Sequence, residues 1–122
     1  MPILTVEIVA RLEEEWDADF AQQLAHRAGE IFASSAGGTW VKVHFIPHEQ
    51  YAENSQEPVA LHPVFVSILK ANLPDEDMMA KEVRQLTTAV AQLCQRPPEK
   101  VHIIYLPAGN GRVAFGGRIV SS

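Results

Sequence analysis

Residues 41–47 read VKVHFIP and residues 101–107 read VHIIYLP, two β-rich runs that each close on a proline and stand 60 positions apart. Runs of β-branched and aromatic residues bounded by a breaker read as strands. Working outward, the same elements precede each of them. Ahead of the first lies a helical stretch, roughly 18–33, with Phe20, Leu24, Ala28 and Ile31 on one stripe and Asp17 placed to cap it. Ahead of that, ILTVEIV at 3–9 is a further strand, led by Pro2. Ahead of the second lies a helix over roughly 76–95, capped by Asp75, with Met79, Val83, Leu86, Val90 and Leu93 on its stripe. The strand VFVSIL at 64–69 comes before it, led by Pro63.

The spacing therefore predicts a β-α-β unit used twice within a single domain over 1–122, one repeat at about 2–47 and the other at about 63–107. Right-handed crossovers make the two strands of each unit parallel. The expected class is α+β: a four-stranded mixed sheet with two helices on one face. The polar stretch 48–62, HEQYAENSQEPVALH, joins the halves, and the tail 108–122, AGNGRVAFGGRIVSS, reads as a short C-terminal hairpin or edge strand. ILTVEIV and VFVSIL carry apolar residues at both alternations, so the face away from the helices is expected to be covered by further copies of the chain.

Composition narrows the function. The chain is 47% hydrophobic and 20% charged with a formal net charge of −5, and its basic residues form no cluster along the sequence. Nucleic acid and an anionic membrane surface are therefore not expected partners. No apolar run approaches the roughly 20 residues a membrane helix needs, the opening residues do not resemble a secretory signal, and the lone Cys94 suits a reducing compartment; the expected location is the cytoplasm. The five histidines follow no zinc-ligand spacing, so no metal is expected.

The Met-Pro start with its strand, the repeat, and the segments VKVHFIPHEQ, EPVAL, PPEKVHIIYL and AFGGRIV together resemble the tautomerase superfamily, which includes 4-oxalocrotonate tautomerase and macrophage migration inhibitory factor. The length is similar to its fused form. That resemblance implies a homotrimer around a central barrel and a cofactor-free tautomerase or isomerase acting on a small 2-oxo or 2-hydroxy-enoic carboxylate. Pro2, once Met1 is removed, would be the catalytic base. Arg11, Lys70, Tyr105, Arg112 and Arg118 would be the substrate-binding residues, the last two bracketing a tail that closes over a neighbouring subunit's pocket.

The sequence also departs from family positions. Ala36, His102 and Ile104 stand where the migration-inhibitory-factor branch has a lysine, a tyrosine and an asparagine, VALH replaces its Cys-x-x-Cys, and Phe115 stands near the dehalogenases' acidic residue. These departures motivate an alternative, a non-catalytic binding or interaction protein on the same fold. A ferredoxin-like βαββαβ domain is the remaining alternative for the layout.

Overall fold

The computed structural model describes residues 2–121. In chain order it has β1 (Ile3–Ala10), α1 (Phe20–Ile31), β2 (Trp40–Pro47), β3 (Val64–Leu69), α2 (Glu76–Cys94), β4 (Val101–Tyr105), β5 (Ala114–Phe115) and β6 (Arg118–Ile119). The large sheet runs β2-β1-β3-β4. β1 and β2 are parallel, as are β3 and β4, and the antiparallel β1–β3 pair joins the two β-α-β units. Val6 lies opposite Val66, its equivalent 60 residues on, so the local two-fold axis passes between them.

Strand alternation decides what is buried. Leu4, Val6 and Ile8 of β1 and Val64, Val66 and Ile68 of β3 turn to one face, where Phe20, Leu24 and Ala28 of α1 and Leu86, Val90 and Cys94 of α2 meet them. Each fully buried Val, Leu or Ile contributes about 1.5–3 kcal/mol, so this layer carries most of the hydrophobic stabilisation. α2 starts as expected, with Asp75 accepting the Met78 N–H at 2.8 Å. It ends at Gln95 in the left-handed region, φ 55°, just before Arg96-Pro97-Pro98.

Two expectations change. α1 begins at Phe20, with Asp19 rather than Asp17 at its N-cap position, and neither carboxylate caps a backbone N–H. The Gln23 amide claims Asp19 at 2.9 Å instead, and the Asp17 carbonyl takes the Phe20 N–H. The face away from the helices is also more polar than the strand pattern suggests. Thr5, Glu7, Lys42, His44, Ser67 and His102 alternate there with Ile3, Trp40, Phe65 and Ile104. The apolar members that stay open are Trp40 and Ile104, 51% and 52% exposed on the two outer strands.

At the Pro63 end of the sheet the side chain of Arg96 is only 7% exposed. It donates to the carbonyls of Val9 and His62 at 2.8 Å each and of Cys94 at 3.2 Å, and to the Glu14 carboxylate at 2.8 and 3.0 Å. A guanidinium's rigid fork of donors suits this many acceptors. Burial disfavours the Glu14 anion, but hydrogen bonds from Arg96 and the Arg11 N–H and the Arg96 charge outweigh it, holding the carboxyl below its ordinary 4.5. Burial, then the charges of Arg11, His48 and Arg96, hold His62 below its ordinary 6.5 against the opposing pull of Glu14.

Both groups bind protons more readily in the unfolded chain, so stability falls on acidification. The His62 contribution is present above 6.5 and is lost as pH drops through its lowered folded value. The Glu14 contribution is present above 4.5 and is lost below it in the same way. His62→Gln is expected to remove the upper step. Glu14→Gln is expected to remove the lower step and to cost about 1–3 kcal/mol at neutral pH, because it strips a partner from a buried cation. Urea unfolding followed across this pH range reads both; a Glu14→Gln chain with unchanged acid sensitivity would contradict the assignment.

Candidate functional site

The site is built where β1 and β2 begin. The Pro2 carbonyl accepts the Trp40 N–H at 3.0 Å, tying the buried chain start to β2. The Trp40 indole N–H in turn donates to the Gly37 carbonyl at 2.9 Å, holding the loop that follows α1 over the strand ends. That loop needs its glycines. Gly37 sits at φ 75°, and a Cβ on Gly38 would come within 3.0 Å of the Ser35 carbonyl oxygen.

The tail closes the other side. Past β4 the Gly109 and Asn110 N–H groups donate to the Lys70 and Ala71 carbonyls at 2.8 and 2.9 Å. The chain then turns back through Gly116 and Gly117, φ 59° and 90°, the signs of a two-residue type I′ hairpin turn. This pairs Phe115 with Arg118 and sets the Phe115 ring edge-on to Trp40 at 5.1 Å. The result is a cavity of about 380 Å³ lined by Pro2, Ile3, Gly37, Gly38, Trp40 and Phe115. Within its own chain the tail packs on the Pro2 end, held there by the Lys70 and Ala71 carbonyls and by the Trp40–Phe115 contact.

The other candidate residues divide between the two ends and faces of the sheet. Arg11 follows the far end of β1, about 30 Å along the strand from Pro2, and its N–H donates to Glu14 at 3.0 Å. Lys70 and Tyr105 fall on the helix side of the sheet, away from the Trp40–Phe115 pair. The Lys70 ammonium, 5.0 Å from the Phe32 ring centre, meets one Glu82 oxygen at 3.0 Å, and the Tyr105 hydroxyl donates to the other at 2.5 Å. Burial, then the hydrogen bond and charge of Glu82, push the Tyr105 hydroxyl well above its ordinary value, so it stays protonated. Arg112 braces the tail, donating to the Ala108 and Pro107 carbonyls at 3.0 and 3.1 Å.

Arg118 differs from these. Directly paired residues of an antiparallel ladder share a face, so Arg118 stands on the same hairpin face as Phe115, a cavity wall, without itself lining the cavity. It is exposed, and its guanidinium makes no hydrogen bond or ion pair among the described residues. Met1 lies outside the described residues. Burial pushes the Cys94 thiol up to about 12, which removes it as a nucleophile at neutral pH. Among the described residues no group of three or more His, Cys, Asp or Glu side chains is placed to hold a metal ion.

Sequence reasoning missed Glu82. Its signal is an acid inside an apolar stripe, three residues after Met79 and four before Leu86, and its side chain is 6% exposed. The cavity wall Phe115 was missed for a different reason, since it meets Trp40 only after the tail folds back.

No family model and no curated protein matches the sequence. Solved structures do match. Macrophage migration inhibitory factor from Trichinella spiralis superposes with a TM-score of 0.77 at 12% identity, over 96% of this chain and 98% of that one. A fused 4-OT described as a wild-type symmetric trimer gives 0.78 at 10% identity, over 97% and 94%. Pt0534 inactivated by 2-oxo-3-pentynoate gives 0.76 at 15% identity, again over 97% and 94%. No helix among the described residues is long and apolar enough to cross a membrane. Over nearly its whole length, then, the chain has the fold of the tautomerase superfamily.

Proposed function

We propose that the chain is a cofactor-free tautomerase or isomerase that moves a proton on a small 2-oxo or 2-hydroxy-enoic carboxylate, with the amine of Pro2, freed by removal of Met1, as general base. The observation that carries this reading is the burial of Pro2 at the end of a core strand, in the wall of an apolar cavity. An α-amino group titrates near about 8 in water. Apolar walls and a nearby cation disfavour its charged form and bring it toward working pH. The neutral amine then takes the proton from the carbon beside the carbonyl. The C–H pair passes into the enolate, and the new N–H bond returns its proton elsewhere on the same molecule, so no electrons are gained or lost.

Arg118 is the proposed carboxylate ligand, since a guanidinium can hold both carboxylate oxygens. Its charge also favours the developing enolate oxygen. One free cation on the hairpin face beside a cavity wall suits a monocarboxylate better than a dicarboxylate. Lys70, Tyr105 and Arg112 support the site through Glu82 and the tail. A homotrimer is part of the proposal. The fused 4-OT structures of the same fold are described as trimers, and this sheet leaves Trp40, Ile104 and Leu106 exposed.

A second reading, a binding protein without catalysis, is favoured by one observation: none of the residues lining the cavity is charged. Intact mass establishes whether Pro2 is free. In the free-Pro2 form, Pro2→Ala is expected to lower enol-to-keto conversion by about 10²–10⁴-fold, with the sedimentation of the assembly unchanged. The ratio kcat/KM should rise with pH through an amine pKa below about 8. 2-Oxo-3-pentynoate should add one equivalent of mass to the native chain and none to the Pro2→Ala chain. Full activity in Pro2→Ala, or a free Pro2 that converts no enol acid faster than buffer, leaves the binding reading standing.

Arg118→Gln is expected to raise KM for monocarboxylates by about tenfold, the loss of one charge-assisted contact. Lys70→Met should leave KM unchanged while lowering urea stability by about 1–3 kcal/mol, because it leaves the buried Glu82 carboxylate without its cation.

A further inference from the structure

On the outer surface, away from the sheet, α1 and α2 enclose an open groove of about 690 Å³ that shares no residue with the Pro2 cavity. Arg27 and Glu30 line it from α1, and Lys81, Arg84 and Gln85 from α2. The spacings are i, i+3 and i, i+3, i+4, which put each set on one helix face. Three of the chain's ten Lys and Arg residues are gathered there, although the net charge is −5. Neighbouring like charges such as Lys81 and Arg84 weaken a helix by a few tenths of a kcal/mol. Neither makes an ion pair among the described residues. Arg27 is held across the helix gap by Gln92 at 3.3 Å, and Glu30 is the sole carboxylate in the lining.

We infer that this groove is a binding site for a small anion carrying two or more linked phosphate groups. Guanidinium forks suit phosphate oxygens, and the ammonium of Lys81 adds a point charge beside them. Cations stand on both walls, so two linked phosphates meet both walls at once while a single phosphate meets one. The groove is open and its ligand stays partly hydrated, so binding is modest and weakens with salt. This inference does not rest on the chemistry proposed for Pro2.

The test is a titration of the ¹⁵N-labelled full chain with pyrophosphate, with inorganic phosphate and with citrate, read by amide shifts. Pyrophosphate is expected to move the amides of residues 27–33 and 81–88 saturably, and to bind at least about tenfold tighter than phosphate or citrate. Arg84→Gln and Lys81→Gln, both at exposed positions, should each weaken it about three- to tenfold, and Glu30→Gln should tighten it about threefold. Lys100→Gln, outside the groove, serves as the control and should change nothing. Shifts spread equally over the surfaces around Arg11, Lys100 and Arg112 would overturn the site. So would an affinity indifferent to Arg84→Gln and Glu30→Gln. Citrate binding as tightly as pyrophosphate would overturn the phosphate assignment.

Discussion

The antiparallel pairing of β1 with β3 is the contact on which the rest depends. Neither β-α-β unit is wide enough to cover its own helix; joined edge to edge, they present Leu4, Val6 and Ile8 beside Ile68, Val66 and Val64 as one apolar face beneath both helices. A slip of one residue would turn that whole set toward the other side, so burial fixes the register strongly. The same register carries Pro2 toward the end of β3. There the Lys70 and Ala71 carbonyls are free to capture the tail. The cavity is thus a consequence of how the halves are joined.

The two halves share one β-α-β topology but differ in the lengths of their helices and outer strands and at their ends. Pro2 and Pro63 both lead an inner strand, yet the nitrogen of Pro63 is locked in a peptide bond. Sixty residues separate Ala36 from Arg96, so the second repeat carries a guanidinium where the first has a methyl group. Beside Pro2, small residues and Gly37-Gly38 leave space that Trp40 and Phe115 line. Beside Pro63, Arg96 fills the corresponding region and binds Glu14 and the strand-end carbonyls. That end of the sheet is not closed altogether, for a separate cavity of about 320 Å³ lies past β1 and β2, lined by Arg11, Trp16, Phe45 and Glu49 among others.

The fold was largely legible because it follows from periodicity. The repeat, the four core strands, both helices and the Asp75 cap are local patterns that burial then reinforces. The cap of α1 was not, since Asp17 and Asp19 are equally plausible by type and the choice falls to a side chain, Gln23, that binds one of them. The polarity of the second sheet face was misjudged because short apolar runs hide single polar residues such as Thr5, Glu7 and Ser67. The candidate site was legible only at Pro2 and as a set of possible cations. Choosing among those cations takes the third dimension. Lys70 and Arg118 look alike in sequence, yet one ends on a buried carboxylate behind the sheet and the other stands free beside Phe115.

That separation of charges bears on the proposed chemistry. Continuing the β1–β3 register past Ile3 and Leu69 places Lys70 across from Pro2 on the helix side, where its ammonium is paired with Glu82 at 3.0 Å and so is not a free carboxylate ligand. The apolar walls then set the basicity of the Pro2 amine. A substrate carboxylate entering such a cavity would by itself stabilise the ammonium and raise the amine's pKa, disabling the base at the moment it is needed. In the proposed site Arg118 would reverse this, neutralising the carboxylate it binds and keeping the amine neutral. Under this reading the hairpin that carries Phe115 and Arg118 both closes the cavity and balances its charge. Its Gly-Gly turn matters because the I′ geometry places those two side chains on the same face.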